Sequence, residues 1–170
     1  MKKLLLTVFL VSLIATIAIS PAKADPMIVD LNAKTTTSTN PVIVSLEAGT
    51  YSVTPIGIDD GGAFNAWTAW YNAEKGWLNS YTLSSDEFSA YTVTSGGRYS
   101  TPIIALENAV STQFTLQSSG NVKFYISDSP YYDNSGGMSL EIAPVPLPGA
   151  ALLGLMGLSI AGIKLRKKSA

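Results

Sequence analysis

The chain has 170 residues, with eleven basic and twelve acidic side chains and neither cysteine nor histidine. That composition excludes disulfide staples, the usual zinc sites and histidine-dependent catalytic triads. The charge is uneven: between residues 25 and 143 only Lys34, Lys75, Arg98 and Lys123 oppose all twelve acids, a net charge of −8. A segment this acidic offers no basic patch to nucleic acid or anionic lipid.

The first 24 residues read as a signal peptide. Lys2-Lys3 gives a positive start, residues 4–19 an apolar run, and Ala22-Lys23-Ala24 a small-x-small cleavage site. Residues 25–40, with the tract Thr35-Thr36-Thr37-Ser38-Thr39, read as a flexible leader that joins the sheet late or stays mobile.

Residues 41–143 have β character throughout, rich in Thr, Tyr, Val, Ile and Ser and broken at short intervals by Gly, Asn and Asp. Strands are expected at 42–46, 50–57, 64–71, 77–83, 88–94, 113–116, 122–127 and 138–142. In the second, Tyr51, Val53 and Pro55 share one face. Ser100-Thr101-Pro102 supplies a helix start with proline at the first position, so 103–109 is read as a short helix. Many short strands between turn signals predict an all-β fold, a single antiparallel β-sandwich or jelly roll.

Loop 128–137, Asp128-Ser129-Pro130-Tyr131-Tyr132-Asp133-Asn134-Ser135-Gly136-Gly137, differs from the others. Calcium takes six to eight oxygens from carboxylates, amides and carbonyls on a curved loop. Asp128, Asp133 and Asn134 place three such side chains within seven residues. The same residue types also build ordinary hairpin turns that cap their own backbone. Tyr131 and Tyr132 are the aromatic side chains best placed to stack on a sugar. The Asp59-Asp60 pair, in the Gly-rich turn 59–62, is a second candidate for ligand contact.

Catalysis is not expected. Neighbouring carboxylates such as Asp59-Asp60 and Asp86-Glu87 point to opposite sides of an extended chain and do not converge by themselves. No nucleophile motif is present.

The C-terminal part, residues 144–170, is tripartite. Val145-Pro146-Leu147-Pro148 opens it, the 19 residues 145–163 carry no charge, and Lys164, Arg166, Lys167 and Lys168 follow. As a helix, 19 residues span roughly 28 Å, the thickness of a bilayer core. The basic end would stay cytoplasmic and leave the preceding domain outside. Segment 145–168 resembles the PEP-CTERM sorting signal in its Val-Pro-Leu-Pro variant, with Leu147 where the commonest motif has Glu. That resemblance implies export, tethering through a transmembrane helix, processing by an exosortase-type protease, and a place at the cell surface or in the extracellular matrix among polysaccharides. An uncut membrane anchor is the alternative.

A second resemblance is local. Asp128, then Asp133-Asn134-Ser135-Gly136 and an alternating strand, is similar to the closing hairpin of the PA-IL-like lectins. Those are small β-sandwiches that hold galactose through calcium. It implies a Ca2+ ion at Asp128, Asp133 and Asn134 and a carbohydrate ligand. The loop is shorter here, and Asp133 stands where the lectins have Asn. The family's site also takes a carbonyl from a loop after an early strand, for which 59–62 is the nearest candidate. A structural surface protein without a specific ligand is the alternative, with a small glycan-active hydrolase as the remoter one.

Overall fold

Period-two alternation of apolar side chains assembles this chain into two antiparallel sheets packed face to face. The computed structural model describes residues 25–69 and 75–146. The expected signal-peptide helix and transmembrane helix lie outside the described residues, as do Leu147, Pro148 and the basic residues Arg166, Lys167 and Lys168.

Nine strands are described: β1 (Met27–Asn32), β2 (Val42–Leu46), β3 (Gly49–Ile56), β4 (Trp67–Thr68), β5 (Tyr81–Ser85), β6 (Tyr91–Val93), β7 (Thr112–Leu116), β8 (Gly120–Tyr125) and β9 (Ser135–Pro144). One sheet has the order β1-β9-β3-β7, with β4 added to the start of β9; the other has the order β2-β8-β5-β6. Leu31, Val53, Leu83, Val122, Phe124 and Leu140 are completely buried between them. Each such side chain contributes about 1.5–3 kcal/mol by leaving water. Tyr51 stacks on Phe114 at 5.6 Å across the β3–β7 pair.

The helix α1 (Pro102–Glu107) forms where its cap predicts. The Thr101 hydroxyl accepts a hydrogen bond from the Ile104 amide at 3.2 Å, and Pro102 opens the first turn.

Three expectations are corrected. The flexible leader contains β1, an edge strand in register with β9 from Met27↔Ile142 to Asn32↔Gly137. Val29 and Leu31 bury on the core side while Asp30 and Asn32 stay exposed, and this alternation outweighs the threonine tract that follows. The strand expected over 64–71 reduces to Trp67 and Thr68 among the described residues. Before it, Ile58–Asp60 forms a 3-10 turn, closed by Gly61 at φ 92°. This segment folds over the outer face of β9: the Phe64 amide donates to Ser139 Oγ at 2.9 Å, and the Ala63 amide to Asp30 Oδ1 at 2.9 Å. In the strand expected at 77–83, Trp77 and Leu78 make only single bridges, to Tyr99 and Trp67, and regular pairing starts at Tyr81.

The strand registers give the sandwich two distinct ends. One carries the turns β2–β3, β5–β6 and β7–β8 and the C-terminal end of β9. There Glu87 binds the β7–β8 turn, its carboxylate accepting from the Gln117 amide (2.6 Å), the Ser118 amide (3.0 Å) and the Ser118 hydroxyl (2.6 Å). Glu47 accepts from the Ser119 hydroxyl of the same turn at 2.6 Å. The Ser118 hydroxyl first, then the two amides, hold the Glu87 carboxyl below its ordinary range. A carboxyl lowered on folding stabilises the fold above its unfolded value of about 4.3 and loses that contribution as pH falls through the lower folded value. Glu87→Ala should therefore lower the melting temperature at pH 7, and the gap from the parent protein should narrow as the pH falls from the unfolded value through the lower folded one. Thermal scans across pH check this.

Candidate functional site

At the opposite end the chain passes from β8 to β9 through loop 126–134. Two neighbours hold the place where this loop enters β9. On one side, residues that follow β1 form its floor: the Ile126 amide donates to Thr36 O at 3.1 Å and the Ala33 amide to Gly136 O at 3.1 Å. On the other side lies β4, paired as Trp67↔Gly136 and Thr68↔Ser135, with the Gly137 amide donating to Ala66 O at 3.1 Å. Gly136 sits at φ 76°, and a Cβ there would collide with the Ala66 carbonyl oxygen; one on Gly137 would collide with Leu31 O. The two glycines thus let three backbones close at one point.

Within the loop the Asn134 amide donates to Tyr131 O at 3.2 Å. The Asn134 side chain is buried, and its Nδ2 donates to Ala33 O at 3.0 Å. A carbonyl accepts only from the NH2 group, so this bond fixes which way the amide points. Its Oδ1 is left with no partner, and so is Asp133 Oδ1 beside it. Thr68 Oγ1, on the β4 residue paired with Ser135, is the third buried side-chain oxygen without a hydrogen bond among the described residues. Buried polar atoms are normally paired, and leaving one unpaired costs about 1–3 kcal/mol. All three of these exceptions cluster at the start of β9: Thr68 is the ladder partner of Ser135, and Asp133 and Asn134 are the two residues before it.

Asp128 is half-buried at the beginning of the loop. Tyr131 and Tyr132 stand out at 50 % and 59 % exposure, so the loop presents two aromatic rings to solvent. The structure places Asp59 and Asp60 elsewhere. They are exposed on the 3-10 turn whose neighbouring Gly61 and Gly62 lie against Ile28 and Ser139, farther along the sheet. The early segments that do lie beside the loop and its entry into β9 are 33–36 and β4. Thr68 carried no sequence signal, since a threonine beside a core tryptophan is ordinary strand composition.

No group of three or more Asp, Glu, His or Cys side chains poised for a metal occurs among the described residues. An ion here would rest on few carboxylates and draw its remaining ligands from amide, hydroxyl and carbonyl oxygens. With only oxygen donors, the chemistry suits a hard cation such as Ca2+ rather than a transition metal.

No family model matches the sequence, and neither curated proteins nor solved structures show a significant similarity to it.

Gly136→Ala should destabilise the domain by at least the roughly 1–3 kcal/mol of a non-glycine residue at positive φ, because the added Cβ also meets the Ala66 carbonyl. Gly96→Ala, at φ 77° but with open space around it, should stay within the strain cost alone. Urea denaturation of the two variants tests the difference.

Proposed function

We propose that this protein is a non-catalytic, exported surface or matrix protein whose β-sandwich holds a Ca2+ ion at loop 128–134 and contacts polysaccharide through it. The observation that carries this reading is that two consecutive loop residues, Asp133 and Asn134, each hold a buried side-chain oxygen that no protein donor satisfies. A cation bound there would satisfy both, with Asp128 supplying a further carboxylate from the same loop. Calcium bound by a folded site and not by the unfolded chain stabilises the fold by about 2.7 kcal/mol at one hundred times its dissociation constant.

Tyr131 and Tyr132, exposed on the same loop, supply the flat apolar faces that pack on a sugar ring. Calcium itself accepts sugar hydroxyls as ligands, so ion and aromatics together would bind a carbohydrate. The acidic surface argues against an anionic partner such as nucleic acid.

Export and sorting rest on the two targeting segments. In this reading an exosortase-type protease and the membrane are the partners of segment 145–168. The sandwich finishes where that segment begins: the Val145 amide still donates to Thr50 O at 2.8 Å, whereas Pro146 is exposed. Cleavage beyond Pro146 would leave both sheets whole.

In the full chain held in detergent, the melting temperature should rise with calcium relative to chelator, and Asp133→Ala should abolish that rise. Absence of a shift in the parent protein would favour a structural surface protein without a specific ligand. Replacing both Tyr131 and Tyr132 by Ala should leave the calcium-dependent rise intact and remove retention on a polysaccharide matrix. Retention unchanged in that variant would rule out the tyrosines as the sugar platform.

A further inference from the structure

We propose that the Thr68 hydroxyl belongs to the ion site, as a neutral oxygen donor brought to loop 128–134 by β4. The inference rests on the calcium reading above and adds a ligand from a distant part of the sequence. Thr68 is completely buried and its Oγ1 has no hydrogen-bond partner. A hydroxyl rotates freely about its C–O bond and finds a partner wherever an acceptor is within reach, so an orphaned one marks a place where the protein offers none.

The backbone places this oxygen beside the loop. Thr68 is the ladder partner of Ser135, the residue after Asn134. Paired Cα atoms lie about 4.5–5.5 Å apart, within reach of a common ion for side chains one residue removed. Asn134 itself precedes the ladder, in the turn that its amide closes on Tyr131 O, so strand alternation does not dictate the face its side chain takes. β4 cannot easily turn away. Trp67 exchanges both backbone hydrogen bonds with Leu78, at 3.1 and 2.7 Å, and its indole Nε1 donates to Ser80 O at 2.9 Å.

Coordination chemistry points the same way. Calcium needs six to eight oxygens. Loop 128–134 supplies side-chain oxygens from Asp128, Asp133 and Asn134, which leaves the shell short. A buried hydroxyl adds an oxygen without adding charge to a site that holds two carboxylates.

The test is calcium titration by calorimetry on the full chain in detergent, comparing the parent with Thr68→Val and Thr68→Ser, with melting temperatures in chelator as the control for folding. Valine keeps the shape and removes an unpaired hydroxyl, so without calcium Thr68→Val should melt at or above the parent. Its calcium affinity should fall at least tenfold, and Thr68→Ser should keep the affinity. Equal affinity in the parent and Thr68→Val would overturn the assignment of Thr68 while leaving the loop as an ion site. No calcium binding by the parent would overturn the ion site and this inference together.

Discussion

β9 is hydrogen-bonded along both of its edges, and the rest of the domain depends on that. β1 pairs with one edge; β3, and then β4, pair with the other. Met138, Leu140 and Ile142 project from it into the core, while Ser139 on the opposite face anchors the 57–66 segment. The two faces are therefore buried for different reasons, one by hydrophobic packing and one by a hydrogen-bonded cover. A strand in this position cannot slip by one residue without inverting every one of these contacts.

The same strand separates two chemistries. Its first residues lie at the candidate site, where Gly136 and Gly137 admit the backbones of 66–68 and 31–33. Its last residues lie beside the turns held by Glu47 and Glu87. Ten residues of extended chain separate them, about 33 Å. Loop 128–134 and its two exposed tyrosines thus sit at the far end of the domain from Val145, where the sorting-like segment begins. If that segment lies in a membrane, the loop faces away from it. Both β1 and β9 meet at the Val145 end, since Met27 pairs with Ile142. Each of the two proposed targeting segments would then join the domain on the side opposite the proposed ligand.

Much of the architecture was legible in the sequence because burial on one face imposes a period of two. Val42–Leu46 was bounded correctly, and Tyr51 and Val53, expected on one shared face, both lie on the buried one. The helix start at Thr101-Pro102 was legible because a cap is a local interaction. What failed was non-local. β1 looked like a leader, since a strand with two buried residues at a sheet edge has a weak pattern and depends on β9, far away in sequence. Of the strand expected at 64–71, only Trp67 and Thr68 pair among the described residues, because Phe64 belongs instead to the cover hydrogen-bonded over β9. Loop 128–134 stood out by composition, yet its neighbour β4 did not, because adjacency to Ser135 is a property of the folded register alone. The orphaned oxygens of Asp133, Asn134 and Thr68 are likewise visible only once the fold has excluded every donor.

The account turns on a calcium ion at the start of β9, and amide chemical shifts of the full chain in detergent, recorded during calcium titration, test that most directly. Saturable shifts concentrated in residues 66–69 and 128–137, with the turn at 117–119 unmoved, are the predicted result. Spectra that do not change, or shifts centred on the Glu47 and Glu87 end, would contradict it.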